Sequence, residues 1–440
     1  MRTFHLPLLA GLALLCAGAR AADMPHEPAP DPAARLSALE AQVAALQKEL
    51  DALRAQAGAP APAVPEAAPA APPEADAAMP EMAGHRMGGA TFGNVTVGGM
   101  LEMQFTSAVD GSLRQPVFAN PKGNSDFVLT HVHPMISAQF DERTSAMLMW
   151  CLTHVGTTAL YQAYLDYAPS EALDLKAGRW LLPFGAWNPI SNPAQFKSVS
   201  RPLMYLGHEE RNIVLQGGPR PILNDEHSDI GLLASGQIER GEALFSYAGW
   251  VSNGFQDTFG DFPDAWIDFR PSEDNNSKKS LGARLAADVR GLTLGASYTG
   301  GRWDAANRYA YRIRGLDATW RGPAGLTLRA EYADNPIHRG PGDGGDIRRR
   351  GWYAMAERPL APRWTGVLMY SALTERPARN VEKVSRLTLG AAYQLAPSAM
   401  LKAEVGRLFL GNFVGDPSDA PEGARFDDVT TFKLSTVVSF

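Results

Sequence analysis

The sequence predicts an all-β fold, a 16-stranded antiparallel transmembrane β-barrel that follows a short N-terminal coiled-coil helix. Three observations lead to this prediction. The chain ends in a segment of alternating apolar and polar residues, many earlier segments alternate in the same way, and the connections between them fall into two length classes. A strand of this kind presents its apolar face to lipid and its polar face to a watery lumen.

The N-terminus has the pattern of a secretory signal peptide over residues 1–21. Arg2 precedes an apolar run that continues through Ala17, and small residues follow where cleavage would occur. The run is too short to span a bilayer as a helix. Cys16 would leave with this peptide. The processed chain would then keep one cysteine, Cys151, and form no internal disulfide.

We predict that residues 31–57 form a periplasmic coiled-coil helix. Their apolar side chains recur at steps of three and four residues, which is the a/d spacing of a heptad seam. The seam consists of Leu36, Leu39, Val43, Leu46, Leu50 and Leu53. An isolated helix of this length is marginal in water, so we expect helices of other copies to stabilise it. A single helix docked on the rim of the barrel is the alternative.

Residues 58–91 predict an extended linker. The segment is dominated by Ala and Pro and cannot bury enough apolar surface to fold. Its C-terminal part contains potential copper donors, Met79, Met82, His85 and Met87. Methionine and histidine together bind copper in oxidising compartments, but we interpret this stretch as an ordinary linker.

The composition excludes several classes of function. The chain has 41 basic and 47 acidic residues, a balance that argues against nucleic-acid binding. No nucleophile elbow, helical zinc-ligand pair or phosphate-binding glycine loop occurs. We therefore predict that the protein is not an enzyme and has no cofactor. His131 and His133 share one strand face, but no third ligand is evident, so we interpret them as an ordinary pair of lumen residues.

Residues 92–440 predict the barrel itself. Within 281–289, for example, Leu281 and Leu285 alternate with Arg284 and Asp288. Within 308–320 the apolar parity changes at Gly315, which predicts a β-bulge. The sixteen predicted strands are 92–107, 126–140, 144–155, 157–168, 171–182, 228–237, 241–254, 279–289, 292–302, 308–320, 325–335, 349–358, 363–374, 384–395, 399–410 and 428–440.

The connections support the same prediction. If the first strand runs outward, every second connection should be a tight periplasmic turn and the others should be extracellular loops. The turns at 141–143, 290–291 and 396–398 are short, whereas most of the opposite connections are longer, and 183–227 is the longest. The final strand should close the barrel. Its ending resembles the C-terminal strand of bacterial outer-membrane proteins, whose last residue is usually Phe, and we expect Phe440 to be presented to lipid or to the barrel-assembly machinery.

The long connection 183–227 is the first candidate for a functional element. A loop of this length in a compact domain is usually functional or disordered. It contains six prolines and several aromatic residues, and it could fold into the barrel and narrow it. The alternative is an extracellular cover. If the loop folds inward, Arg201, Arg211 and Arg220 would lie near the constriction.

Charged residues at inward positions of the strands are the second candidate. Arg and Lys in a channel favour anions, but acidic residues lie between them, so the pattern alone leaves the ion preference open. The basic residues expected to face water are Lys176, Arg284, Arg312, Arg314, Arg329, Lys402 and Lys433. The acidic ones are Asp166, Asp174, Asp288, Glu331 and Glu404.

One segment resembles a known family. The stretch Gly178-Arg-Trp-Leu-Leu-Pro-Phe-Gly185 resembles the Gly-basic-x-x-x-Pro-Phe-Gly stretch of the phosphate-selective porin O/P family. The order of signal peptide, coiled coil, linker and barrel also resembles that family and its siderophore-porin relatives. The resemblance implies a homotrimeric channel for small anions. The clustered lysines of a phosphate ladder are missing, because the barrel lysines are scattered.

We therefore expect a porin in the outer membrane of a Gram-negative bacterium, surrounded by outer-membrane lipid, with its N-terminal helix in the periplasm. It would pass small hydrophilic solutes by diffusion. Two alternatives stay open at this point. The barrel could be a structural tether between the outer membrane and the periplasm, or it could house a partner protein such as an electron carrier.

Overall fold

The computed structural model describes residues 89–108, 125–152, 159–206, 218–224, 226–256, 274–340, 345–378, 381–411 and 428–440, together with Lys48. The chain divides into two compact units, Met1–Glu74 and Ala75–Phe440, and Lys48 is the one described residue of the first unit. The predicted signal peptide and coiled-coil seam, most of the predicted linker, and Arg211 lie outside the described residues.

The second unit consists of β-strands joined by turns and loops. The strands pair in antiparallel fashion, in chain order except that β6 pairs with β9, and β7 and β8 form a separate short parallel pair. The strands are β1 (Gly89–Phe92), β2 (Val95–Ala108), β3 (Ser125–Gln139), β4 (Thr144–Cys151), β5 (Ala159–Ser170), β6 (Leu173–Leu181), β7 (Tyr205–Leu206), β8 (Leu223–Asn224), β9 (Ser228–Arg240), β10 (Ala243–Ser252), β11 (Ser280–Val289), β12 (Leu292–Arg302), β13 (Ala310–Arg321), β14 (Thr327–Ile337), β15 (Ile347–Ala361), β16 (Trp364–Arg376), β17 (Lys383–Ala396), β18 (Ala399–Leu410) and β19 (Val429–Ser439).

Sixteen of these strands, β2–β6 and β9–β19, form a closed antiparallel barrel. They correspond one to one to the sixteen predicted segments, so the predicted fold class of the barrel is confirmed. Strand β6 pairs with β9 across the long connection, and β19 pairs with β2 from Thr431 opposite Ala108 to Ser439 opposite Met100. The last residue extends this seam, since the N–H and C=O groups of Phe440 both form hydrogen bonds with Gly99.

The two faces of the barrel differ as the alternation predicts. On β11, Leu281 and Leu285 point outward with 62% and 66% of their surface exposed, whereas Arg284 and Asp288 are buried inside. Leaving a leucine in water instead of an apolar medium costs about 1.5–3 kcal/mol. An outer wall made of many such residues is therefore suited to lipid. In the described part of the chain, no helix is long and apolar enough to cross a membrane.

Strand β13 corrects one prediction. The inward face is the same along the whole strand: Tyr311 and Ile313 point inward, while Arg312 and Arg314 are exposed on the outer face. Pairing with β12 runs without interruption, so the predicted bulge at Gly315 is wrong. A glycine is present at position 315 for a different reason, the space that a neighbouring ring needs. A Cβ atom at this position would lie 2.8 Å from the ring of Phe184, which packs against it from inside the barrel.

The short turns lie at one end of the barrel, as predicted. The turn between β11 and β12 consists of Arg290 and Gly291, both with positive φ. This is the conformation of a two-residue hairpin turn whose twist matches that of the strands. At the opposite end, residues 182–227 connect β6 to β9, and the described part of this connection contains a 3-10 turn at Asn188–Ile190 in addition to β7 and β8. We call residues 182–227 the inward loop.

Candidate functional site

The described residues of the inward loop, 182–206, 218–224, 226 and 227, lie inside the barrel. They contact the inner faces of strands on the far side of the lumen, β12 to β19, and also β3. Phe184, Trp187 and Tyr205 are completely buried. The sequence left two possibilities for this loop, folding into the barrel or covering it from outside, and the described residues fold into the barrel.

Glu331 on β14 holds the first part of the inward loop. Its carboxylate accepts hydrogen bonds from the backbone N–H groups of Ala186 and Trp187, at 3.2 and 3.3 Å, and from the hydroxyl of Tyr205. Buried backbone groups in an irregular segment need partners, because they have no ladder to supply them. A carboxylate that accepts several hydrogen bonds is a strong acceptor for this purpose.

Glu404 on β18 holds the middle of the loop in the same way. It accepts hydrogen bonds from two consecutive backbone N–H groups, those of Val199 and Ser200, at 2.9 Å each. Two neighbouring lysines donate to the loop in turn. Lys402 Nζ lies 2.8 Å from the carbonyl oxygen of Pro193, and Lys433 Nζ lies 2.9 Å from Ser200 Oγ.

Glu375 on β16 holds the last part of the loop. Arg220 donates to it through Nε and Nη2, at 3.1 and 3.0 Å, and through its backbone N–H. Arg349 on β15 approaches the same carboxylate at 3.1 Å and donates to the carbonyl oxygen of Pro221. The loop is therefore tied to the wall by three carboxylates, one for each described part.

Apolar packing between the loop and the wall depends on two glycines. Gly315 leaves room for Phe184, and a Cβ atom at Gly351 would lie 2.6 Å from the Cβ atom of Met204. Trp187 packs edge-on against the ring of Tyr353 at a centroid distance of 5.8 Å. Such close contacts between loop and wall mean that the loop fits this barrel in one position.

The stretch from Gly178 to Gly185 is the place where the chain leaves the wall. Gly178 has a φ of +127°, and a Cβ atom there would meet the carbonyl oxygen of Ala163 at 2.2 Å. Gly185 has a φ of +66° and lies against the carboxylate of Glu331. Residues other than glycine rarely adopt these conformations. Gly185 therefore serves the turn into the lumen, whereas Gly178 lies within β6 and allows the close approach of β5.

The predicted lumen residues of the strands are mostly paired with acids. Lys176 lies between Asp166 and Asp174, at 3.4 and 2.9 Å. Arg284 donates to Asp317 at 2.8 Å and to Ser297. Arg329 forms an ion pair with Glu357.

Other predicted site residues are buried beneath the inward loop and do not face open water. Lys402 and Lys433 are each 2% exposed, as is Arg201 of the loop itself. The guanidinium of Arg201 lies 3.0 Å from His131 Nε2, and its carbonyl oxygen accepts a hydrogen bond from Arg386.

Arg312 and Arg314 are not in the lumen at all, so their assignment to the pore is wrong. Both are exposed on the outer face of β13, and Arg314 is directly opposite Asp334 on β14. Asp334 in turn forms ion pairs with Arg348 and Arg350 of β15. The sequence misled because Tyr311 and Ile313, which looked suited to lipid, pack instead in the apolar interior that includes the inward loop.

A cavity of about 510 Å³ lies between the inward loop and the end of the barrel with the short turns. Its lining includes Met135, Met147 and Met149 together with Asp166, Lys176 and Lys197. Lys197 belongs to the loop. Burial lowers the pKa of its amine, and Arg329 acts in the same direction, while Glu357 opposes both.

Several residues of this site escaped the sequence interpretation. Glu375, Arg349 and Arg386 occupy inward positions of β15–β17, and that parity was the signal by which they could have been found. A third potential metal ligand, Cys151, lies beside His131 and His133. Cys151 was missed because only the pairing register between β3 and β4 brings it beside the two histidines, and the sequence pattern does not show that register.

No family model and no curated protein matches this sequence. Solved structures with the same fold are nevertheless found. The anion-selective porin from Comamonas acidovorans is similar with a TM-score of 0.51 and 11% identity, over 79% of this chain and 99% of that one. OmpF of Salmonella typhi, in complex with daunomycin, is similar with a TM-score of 0.50 and 10% identity, over 79% of this chain and 97% of that one. OmpT, an outer membrane protein of Vibrio cholerae, is similar with a TM-score of 0.50 and 10% identity, over 80% of this chain and 100% of that one. At these identities the similarity establishes a shared fold, the porin type of barrel.

Proposed function

We propose that this protein is an outer-membrane porin, a water-filled channel for the passive diffusion of small hydrophilic solutes. A barrel of sixteen strands is wide enough to hold an aqueous channel. The observation that carries the proposal is the inward loop, tied across the lumen by Glu331, Glu375 and Glu404. A loop held in this way narrows the bore and selects solutes by size and charge. No catalytic role is proposed.

The same observation counts against a barrel that houses a partner protein. The space that such a partner would need is taken by the chain's own residues, among them Trp187, Phe196 and Tyr205. A structural tether is the remaining alternative, and it rests on the predicted coiled coil. Single-channel recordings distinguish the two, because a tether without a channel would be electrically silent.

We propose small anions as the preferred solutes and a relationship to the phosphate-selective porin O/P family. The stretch from Gly178 to Gly185 supports this relationship through its resemblance to that family. Lys197 of the loop lines the cavity, where its positive charge would favour anions, whereas Lys176 is already paired with two aspartates. One protein of the same fold is described as an anion-selective porin. Scattered lysines favour a general anion preference over a phosphate site.

The experiment that tests the channel is replacement of residues 195–217 by a short Gly-Ser link. Removing the middle of the inward loop should raise single-channel conductance several-fold and admit larger solutes. The control is the same replacement at 257–273, the connection between β10 and β11, which should leave the conductance unchanged. An unaltered conductance in the first variant would mean that the loop does not narrow the path, and a silent wild-type barrel would refute the porin.

We further propose a homotrimer in the outer membrane, stabilised in part by the predicted periplasmic coiled coil. Val43→Asp with Leu46→Asp places charges in the apolar seam, where burial without partners is unfavourable. We expect the trimer band in mild detergent to weaken while the folded barrel persists. Lys48→Asp, a substitution outside the seam, is the control. A trimer equally stable in all variants would assign association to the barrel walls.

A further inference from the structure

The inner wall of β2–β4 carries sulfur and imidazole groups at the positions where a porin lumen usually carries charges. We call these residues the soft-donor wall. They alternate with outward-facing residues on three adjacent strands. The set is Met100 on β2, His131, His133 and Met135 on β3, and Met147, Met149 and Cys151 on β4.

Three of these residues have the geometry of a metal site. The ligand atoms of His131, His133 and Cys151 all lie within 4.8 Å of one another. His131 Nδ1 and His133 Nε2 are hydrogen-bonded to each other at 3.1 Å. Two nitrogen ligands of a tetrahedral ion, with bonds of about 2.0–2.1 Å, lie about 3.3 Å apart. The two rings are therefore already spaced almost as a bound ion would space them.

The sheet register brings the sulfur donors to the same place. Met135 is directly opposite Met149, and Met100 is directly opposite His133. Cys151 follows Met149 by two residues on the same face of β4 and packs with it in one buried cluster. A thiolate, two imidazoles and neighbouring thioethers form a soft ligand set, which favours copper(I) over magnesium, calcium or manganese.

We propose that His131, His133 and Cys151 form a binding site for a soft monovalent ion, copper(I), with the thioether of Met149 as an additional donor. The ion would displace one proton, that of the Cys151 thiol, because thiolate is the form that binds metals. The positive ion and the thiolate then neutralise each other, which suits a site where all three ligands are buried.

The charges around the site are consistent with a bound cation. Glu102 Oε2 lies 3.8 Å from His131 Nε2, and Glu226 Oε2 lies 3.6 Å from His133 Nδ1. Carboxylates near the outer nitrogens of metal-bound histidines orient the rings and increase their basicity. Glu102 is itself held in position by Ser435 Oγ at 2.7 Å.

Arg201 opposes the bound state, and this couples the site to the inward loop. A guanidinium can only donate, so in the structure Nε2 of His131 accepts from Arg201 and the ring proton resides on Nδ1. An ion on Nδ1 would move that proton to Nε2, where it would point at another donor. The ion therefore requires Arg201 to withdraw and Nε2–H to turn to Glu102. Metal binding would loosen one contact between the loop and the wall.

The cavity beside the loop supplies a route to the site. Met135, Met147 and Met149 line it, and Tyr164 donates a hydrogen bond to the sulfur of Met147 at 3.2 Å. The methionines follow one another along β3 and β4 from the cavity towards Cys151. An ion entering from the end with the short turns would thus pass from one thioether to the next.

The test is titration of the folded, detergent-solubilised protein with copper(I) under anaerobic conditions, in competition with bicinchoninate. The linker donors Met79, Met82 and Met87 are first changed to Leu, and His85 to Gln, so that any binding comes from the barrel. We expect one copper(I) per chain. Absence of binding in this background would overturn the proposal.

Single substitutions assign the ligands. Cys151→Ser and His133→Gln should each weaken copper(I) binding by at least about 100-fold. Loss of a group that only hydrogen-bonds to a ligand already costs up to about 100-fold in metal affinity. Met149→Leu should weaken copper(I) binding but leave zinc(II) binding unchanged. Heat-modifiable migration on a gel verifies that each variant is folded. His338→Gln, at an exposed histidine, and Met369→Leu, at a buried methionine elsewhere, are the matched controls. Copper affinity that survives both ligand substitutions would refute the site.

Two measurements remain decisive if Cys151→Ser does not fold. Copper(I) should protect the wild-type Cys151 thiol from alkylation, and unchanged alkylation would contradict the proposal. Arg201→Leu removes the competing donor without adding a soft ligand and should tighten copper(I) binding; weaker binding would rule out coordination through Nδ1 of His131. Zinc(II) that binds more tightly than copper(I), with the same dependence on Cys151, would overturn the assignment to a soft monovalent ion. None of these readouts depends on channel activity.

Discussion

Two sectors of the inner wall hold very different side chains, although the same alternation directs both inward. The charged wall, on β14–β19, contains Glu331, Glu375 and Glu404, which bind the backbone or an arginine of the inward loop. The soft-donor wall, on β2–β4, consists of methionine, histidine and cysteine side chains, and part of it borders a cavity. An inward position in this barrel therefore does not imply contact with water. What a residue meets there depends on where the loop lies.

The difference also shows how an irregular loop can be held in a lumen. Each carboxylate of the charged wall satisfies backbone or guanidinium donors that the loop could not satisfy by itself. A wall of thioethers and imidazoles cannot do this for a row of N–H groups. The loop is accordingly fixed against the charged wall, and the cavity remains next to the soft one.

The largest effect should come from breaking the seam that joins the two walls. Deletion of Phe440 removes both of its hydrogen bonds to Gly99 at the junction of β19 and β2. We expect little heat-modifiable barrel in the outer-membrane fraction, because the closing strand then ends short. Phe92→Ala, at a similarly exposed aromatic residue of β1, should assemble normally. A wild-type yield of folded protein after the deletion would show that closure does not depend on this residue.

Glu331→Gln should release the first part of the loop. The substitution keeps the shape but replaces one of the two oxygens that accept from the three loop donors by an amide NH2 group, which only donates. A buried donor that loses its acceptor costs about 1–3 kcal/mol. We expect faster proteolytic cleavage within the loop and a higher conductance.

Glu382→Gln is the matched control for this substitution. Glu382 pairs with Arg376 at the surface, and exposed pairs contribute about 0–1 kcal/mol. Equal protease resistance of the Glu331 variant, the Glu382 variant and the wild type would contradict the anchoring role of the charged wall.

Gly315→Ala tests the apolar contact between the loop and β13. The added methyl group would lie 2.8 Å from the ring of Phe184, and overpacking of this kind costs about 1–3 kcal/mol. We expect a lower denaturant midpoint for unfolding of the barrel. Gly249→Ala, where nothing lies within 4 Å of the new methyl group, should leave the midpoint unchanged. A similar midpoint for both variants would mean that Phe184 does not need this space.

The smallest effect should come from Arg312→Glu combined with Arg314→Glu. Both side chains lie on the outer face of β13, away from the lumen. We therefore expect no shift of the reversal potential across a salt gradient, although the two substitutions together make the net charge of the barrel more negative by about four units. A shift towards cations would return these arginines to the solute path.

The strands were predictable because their signal is local. Lipid on one side of the wall and a filled interior on the other impose a two-residue period, and Leu281, Leu285 and Arg284 show it within a single segment. The turn at Arg290 and Gly291 has its own local signal in the residues that adopt positive φ. Where the interior is apolar the signal fails, as it does at Tyr311, which stacks on Phe255 at 4.5 Å inside the barrel.

The sequence by itself determined the sixteen strands, their order and the place of the long loop, because each of these depends on residues close together in the chain. Only the tertiary structure decided that Ala186 meets Glu331, that Lys433 meets Ser200, and that Cys151 lies beside His133. The first two contacts join residues 145 and 233 positions apart. The third depends on the register between two strands. Such contacts are fixed by closure of the barrel and by the path of the loop across it, and no local period of the sequence encodes either.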